Sequence, residues 1–296
     1  MKALITGATG FIGSHLAERV AADGHDVRIF LRETSNRRWI DHLDAEITVG
    51  SFTDPVSLDE AVADVDVVYH VAGVVAARDR KGFYDGNVEA TRSILDAIER
   101  VNPTLSRFLH SSSLAAVGPA VSPDRPVDES FPLNPITTYG ESKAEAERLV
   151  ESYADRIPVT IVRPPAVYGP RDVGIYTFFQ VVAKGIAPLI GRDRKLVSLV
   201  HVRDLVDGIV RAATDDRGVG RTYFISSEGF YDWPTVGDVT ARALGKKSPR
   251  YLKIPHPIIR LAAGGSEFFG RFQKKPPILD REKGRDIMQP YWLCSV

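Results

Sequence analysis

The chain has 296 residues, 44% of them hydrophobic and 26% charged, enough apolar material for a sizeable core and too much for a largely disordered protein. Lys plus Arg and Asp plus Glu are 38 each, so the basic excess of a dedicated nucleic-acid binder is missing. The one cysteine, Cys294, excludes an internal disulfide or a cysteine zinc cluster, and the seven histidines include no His-x-x-x-His pair, so no metal is expected.

From the N-terminus, Met1-Lys2 leads directly into Ala3-Leu4-Ile5-Thr6 without a secretory pattern. No window approaches the ~18 uninterrupted apolar residues of a spanning helix. A cytoplasmic protein without a membrane span is therefore expected. Short β-branched runs occur at 3–6, 27–31, 46–49, 65–70, 107–111 and 159–163. Helical spacing fills 12–22, 58–63, 87–101 and 138–154 between them. This alternation predicts an α/β fold of Rossmann type, a doubly wound parallel sheet with helices on both faces. After Arg163 the prolines 164, 165 and 170 break the pattern. A helix at 175–184, a basic turn at 191–195, a strand at 196–202, a helix at 205–213, a strand at 221–226 and a helix at 236–244 follow. The expected organisation is a dinucleotide-binding domain over 1–165, rejoined by 196–226, and a smaller substrate lobe from 166–195 and 227–296. The apolar stretch 258–272 is broken by Arg260, Gly264, Gly265, Glu267 and Arg271. It reads as an amphipathic helix packed on its own protein rather than on a membrane.

Thr6-Gly7-Ala8-Thr9-Gly10-Phe11-Ile12-Gly13 joins the first strand to the first helix. Glycines allow the tight turn and a close backbone approach, and the helix N-terminus directs free N–H groups at a pyrophosphate.

The spacing is Gly-x-x-Gly-x-x-Gly. With His70-Val71-Ala72-Gly73, Asn87-Val88-Glu89-Ala90-Thr91, Ser111-Ser112-Ser113, Tyr139-x-x-x-Lys143, Arg163-Pro164-Pro165-Ala166-Val167-Tyr168-Gly169-Pro170 and His201-Val202-Arg203-Asp204, it resembles the extended short-chain dehydrogenase/reductase family. This family is also called the NAD-dependent epimerase/dehydratase family, and the likeness runs over nearly the whole chain. Within it the sequence looks most like the dihydroflavonol-reductase and 3β-hydroxysteroid-dehydrogenase branch. The resemblance implies cofactor contacts from Thr6, Gly7, Thr9, Gly10, Phe11, Ile12, Gly13, Val71, Ala72, Gly73, Ser111, Ser112, Tyr139, Lys143, Pro164 and Val167. It also implies a homodimer, which is common among members.

Arg32 stands at the tip of the second strand, where an arginine suits a 2′-phosphate, and so favours NADP(H). Glu33, able to hold a ribose diol, keeps NAD(H) as the alternative. The family's usual Gly-Asp after the third strand is Gly50-Ser51-Phe52 here, so Ser51 and Phe52 are left as the adenine-side candidates.

Tyr139 and Lys143 share a helix face at i and i+4, with Thr138 and Glu141 placed for a capping box. A nearby ammonium favours phenolate, which is expected to bring Tyr139 towards the range of a useful acid or base. Family alignment makes Ser113 the serine that steadies the substrate oxygen, with Ser112 as the alternative, and gives Lys143 the nicotinamide ribose. The catalytic set is therefore Ser113, Tyr139 and Lys143. Nucleotide-sugar epimerases of the family often carry an Arg-Asp pair where this chain has Val197 and Ser198. Arg171, Arg192, Arg194 and Lys195 lie nearby and could substitute. The expected activity is hydride transfer at the ketone or secondary alcohol of a small molecule. A sugar epimerase or dehydratase and a non-catalytic dinucleotide sensor are the alternatives. Phe178, Phe179, Ile186, Leu189, Phe268 and Phe269 suit an apolar substrate, or simply a core.

Overall fold

The computed structural model describes residues 1–270 and 281–296, with side chains at 1–266 and 281–296; Phe268 and Phe269 lie outside the described side chains. The first half alternates as the sequence predicts: β1 (Lys2–Thr6), α1 (Phe11–Ala22), β2 (Asp26–Leu31), β3 (Glu46–Val49), α2 (Pro55–Val62), β4 (Val67–His70), α3 (Arg80–Tyr84), α4 (Ala90–Val101), β5 (Arg107–Ser111), α5 (Leu114–Val117), α6 (Thr138–Glu151) and β6 (Val159–Arg163). The expected helix at 87–101 begins instead as a π-helical turn, Asp85–Glu89, that runs into α4. The chain continues through β7 (Ala166–Tyr168), α7 (Gly174–Ala183), β8 (Ile186–Ile190), β9 (Leu196–His201), α8 (Val202–Thr214), β10 (Arg221–Phe224), β11 (Phe230–Asp232), α9 (Trp233–Ala243), β12 (Arg250–Ile254), α10 (His256–Gly270), α11 (Arg281–Met288) and β13 (Tyr291–Trp292).

Seven strands form one sheet in the order β10-β6-β5-β4-β1-β2-β3, every pair parallel. Parallel pairing demands crossover helices, and these cover both faces. Alternate residues of β1 show the result. Ala3 and Ile5 pack with Leu16, Ala17 and Val20 of α1 and with Val206 and Ile209 of α8. Leu4 faces the other way, towards Leu58 of α2, Ile94 and Ile98 of α4 and Val150 of α6. Both sides of β1 are fully buried, which is why its run is apolar throughout. Truncating a side chain such as Leu16 or Ile98 to Ala removes about 2–5 kcal/mol of stability.

The strand order reverses between β1 and β4, which places a crevice above their C-terminal ends. Pro164 and Pro165 lift the chain off the sheet after β6. β7 then pairs with β9, and β9 with β11 and β13, in a second sheet. Within 196–226, α8 packs on α1 and β10 joins the main sheet beside β6, whereas β9 belongs to the second sheet. β8 and β12 form a separate parallel pair. No helix among the described residues is long and apolar enough to cross a membrane.

Candidate active site

Gly7 to Gly10 make the whole connection between β1 and α1, with Thr9 in the turn. Gly7 has φ +77°, and an added Cβ would lie 2.7 Å from the backbone N of Ala72 at the end of β4. Only glycine satisfies both demands. At Gly13 a Cβ would sit 2.2 Å from the Gly7 carbonyl oxygen, so α1 can start against the turn only because that position is bare. Gly10 is the N-cap of α1 and supplies no side-chain acceptor. The opening N–H groups, around Phe11, Ile12 and Gly13, are thereby left to an anion, assisted by the positive end of the helix dipole. These residues fit a dinucleotide pyrophosphate.

Beside the turn, Ala72 N donates to Thr6 Oγ1 (3.3 Å), and Val71 packs against the core. Thr6 Oγ1 also meets His70 Nδ1 at 2.9 Å, while His70 Nε2 meets Thr91 Oγ1 at 3.0 Å. Burial, and then the charge of Lys143, push the His70 pKa down to about 3, so its imidazole is neutral and structural. Asn87, on the π-helical turn, accepts from Val74 N (2.7 Å) and donates to Ser142 Oγ (2.8 Å). It thereby pins the segment after Gly73 to α6.

Towards the other edge of the sheet, Arg32 is exposed at the tip of β2, its backbone N donating to Ser35 Oγ (3.2 Å). Arg38 stacks over Trp39 at 4.1 Å, which gives it an occupation of its own. Ser51 Oγ is bonded to Thr53 Oγ1 (2.9 Å), and Phe52 sets its ring edgewise on Phe30 and His70.

Ser111, Ser112 and Ser113 end β5 and start α5, with Tyr139 and Lys143 facing them from α6. The Ser113 hydroxyl lies close enough to the Tyr139 phenol to favour its ionised form, and Ser113 Oγ accepts from Ala115 N (3.1 Å). Lys143 Nζ donates to the Ser111 carbonyl at 2.6 Å and would lie 3.7 Å from a Cβ at Gly73. Ser112 Oγ is committed to the Glu147 carboxylate. Pro164 offers its carbonyl to Leu114 N (2.9 Å), holding the serine segment, and Val167 on β7 pairs with Val200 and packs into the core. Ser113, Tyr139, Lys143 and the glycine turn are thus brought to one crevice. Arg32 and Ser51 stand at the β2–β3 side of it.

Two expectations change. No Thr138–Glu141 capping box forms. Thr137 is the N-cap and accepts from Gly140 N (3.1 Å), while Glu141 pairs with Arg80 (2.8 Å). The cap is completed from α11, where Glu282 accepts from Thr138 N (3.1 Å) and Thr138 Oγ1 (2.6 Å). Second, the lowering of the Tyr139 pKa by Lys143 does not appear. Burial raises it, the Ser113 hydroxyl draws it back, and the Asp286 carboxylate adds to the rise. The reason is geometric: the ammonium is directed at the Ser111 carbonyl. Lys143 itself is lowered to about 8 by burial, against the pull of Glu147.

Sequence reasoning missed Glu147, fully buried and paired with Arg163 at 2.7 Å beneath the serines. Its i+4 spacing from Lys143 was the available signal. It also missed the contribution of α11, for which Glu282 and Asp286 give no local pattern. Three basic residues considered for a diphosphate are occupied. Arg171 bonds Ser14 (2.9 Å) and Glu18 (2.5 Å), Arg194 pairs with Asp232 (3.1 Å), and Lys195 donates to the carbonyls of Met288 and Gln289.

Known proteins agree with this architecture. Ceramide reductase of Caulobacter vibrioides is 30% identical over 293 residues, covering 98% of this chain and 85% of that protein. Sterol demethylase protein B of Methylococcus capsulatus is 34% identical over 240 residues, 77% of this chain and 70% of the relative. The solved structure of gox2253 superposes with a TM-score of 0.80 at 27% identity, covering 99% of this chain and 89% of that one. The model of the NAD dependent epimerase/dehydratase family matches residues 3–236, so the chain belongs to that family and is an enzyme of the extended short-chain dehydrogenases/reductases.

Proposed function

We propose that this enzyme is a reductase or dehydrogenase acting on a ketone or secondary alcohol of an apolar small molecule, with NADP(H) preferred over NAD(H). The observation that carries the reading is the buried Lys143, bonded to the Ser111 carbonyl and close to Gly73, which sets Ser113 and Tyr139 beside the glycine turn. A dinucleotide whose pyrophosphate is held by that turn would supply or accept a hydride at the substrate carbon. Tyr139 moves the proton at the substrate oxygen, and its raised pKa keeps the phenol protonated, as a donor to a ketone must be. Ser113 steadies the same oxygen. Lys143 holds the ribose and fixes the Ser111 carbonyl at the start of the serine segment. Glu147 and Asn87 act on this set through Lys143 and Ser142, so they are positioning residues.

The ceramide and sterol in the relatives' names support a lipophilic substrate, as does the apolar content of α7. The commitments of Arg171, Arg194 and Lys195 argue against a sugar diphosphate, and so against the epimerase reading. The complete Ser, Tyr and Lys set argues against a sensor without turnover. Arg32 supports the phosphate-bearing dinucleotide because its guanidinium is exposed where a 2′-phosphate would lie.

The test is turnover of long-chain ketones with NADPH by the wild-type protein and by Tyr139→Phe. Loss of at least ~100-fold in the variant, with NADPH binding retained, supports the reading. Full activity in the variant would refute it.

A further inference from the structure

One side of α10 is buried and the other is bare. Ile259 and Ala263 are buried, and a Cβ on Gly284 of α11 would lie 3.2 Å from Ala263 Cβ, so this side is pressed against α11. On the opposite side Ile258 is 55% exposed and Leu261 79%, and Ala262 is exposed beside them. The i, i+3, i+4 spacing makes these three one stripe. A helix apolar on both sides needs a second apolar environment.

The charge around the stripe says what that environment is. Arg260 is exposed next to it, and Lys246, Lys247, Arg250 and Lys253 are exposed on the segment leading into it. Residues 246–266 carry five Lys and Arg and no Asp or Glu, in a chain whose total charge is zero. A basic region enclosing an apolar stripe is complementary to an anionic phospholipid bilayer. There the stripe enters the acyl boundary and the cations meet the headgroups.

We propose that α10 docks this enzyme on the surface of an anionic membrane. The surface stands on its own exposure and charge, and only its use rests on the apolar substrate proposed above. α10 packs on α11, and Glu282 of α11 caps the helix that carries Tyr139. The membrane face is therefore two helices from the reacting position. A lipophilic ketone would reach the crevice without dispersing in water.

The experiment is co-sedimentation with phosphatidylcholine vesicles, with and without phosphatidylglycerol, at low and high salt. The wild-type protein should bind the anionic vesicles and be released by salt. Ile258→Glu/Leu261→Glu should lower the bound fraction ~10-fold or more, and Arg260→Glu should weaken binding and its salt dependence. Both variants change exposed side chains, and unchanged melting temperature and NADPH affinity verify that they are folded. No binding by the wild-type protein, or equal binding by the double variant, would overturn the proposal. So would conversion of a dimer to a monomer by the double variant on size-exclusion chromatography, because the stripe would then be an interface between copies. Binding here needs no substrate, so failure of the docking and failure of the proposed reaction are told apart.

Discussion

Glu282 caps a helix that begins 144 residues earlier in the chain: its carboxylate accepts from both the backbone N and the Oγ1 of Thr138, immediately before Tyr139. Carboxylates are favoured at helix N-termini, and this one fixes the turn from which Tyr139 projects. Glu282→Ala should lower stability by about 1 kcal/mol and reduce turnover more than it weakens cofactor binding. Thermal melts with kcat and NADPH affinity measured side by side check it. Equal losses in all three would mean that the cap serves only the fold.

The Glu147–Arg163 pair is buried on both sides and also receives the Ser112 hydroxyl. Removing one partner strands the other charge. Glu147→Ala should therefore cost about 3–5 kcal/mol, and replacing both partners by Met should cost less than the single change. Urea unfolding of the three proteins decides this. A double variant less stable than Glu147→Ala would contradict it.

Lys143 has its pKa lowered to about 8 by burial, compared with an ordinary 10.5. Between those values the unfolded chain binds the proton that the folded chain has lost, so this residue makes stability rise with pH across that window. Below about pH 8 the buried ammonium costs the folded state on the order of 3 kcal/mol relative to a freely solvated one. The stability difference between the wild-type protein and Lys143→Met should shift towards the wild-type from pH 8 to 10. A difference that stays flat across that range would place the ammonium in a solvated site.

Gly13→Ala and Gly24→Ala separate two kinds of glycine. At Gly13 the new Cβ meets a backbone oxygen at 2.2 Å, whereas Gly24 has φ +79° and nothing within 4 Å. Gly24→Ala should cost about 1 kcal/mol through backbone strain alone and leave the enzyme active. Gly13→Ala should push α1 away from its turn and abolish dinucleotide binding. Isothermal titration of both variants is the measurement.

Arg32→Ala should weaken NADPH binding ~10-fold or more and NADH binding little, because only NADPH carries the 2′-phosphate. Equal losses for the two would contradict the cofactor preference proposed here.

Much of this was legible in the residues, and what was not has a physical cause. Both-face burial forces apolar runs, so β1, β2, β4, β5 and β6 announced themselves, while the partly exposed edge strand β3 showed only its β-branched Ile47, Thr48 and Val49. The glycine turn did too, because Gly7 and Gly13 have no room for a Cβ. The short β7, β11 and β13 were not visible, since strands of two or three residues are decided by their partners rather than by their own sequence. The capping box failed for the same reason. Thr138 and Glu141 have the right spacing, but Arg80 and Glu282, both distant in sequence, take the two side chains. Tyr139 and Lys143 could be found from i, i+4 spacing. The direction of the Tyr139 shift could not, because it depends on burial and on Asp286.

The closing of α6 by Glu282 has a temporal side. A ribosome makes the glycine turn, the serines and Tyr139 well before it makes α11, Leu293 and the segment that bonds back to Ala120 and Val127. Domains gain structure in the order they emerge. A nascent chain can thus complete its nucleotide cradle while the helix bearing Tyr139 still lacks its cap. The capacity to hold a dinucleotide precedes the capacity to react, and the interval lasts until α11 has been made.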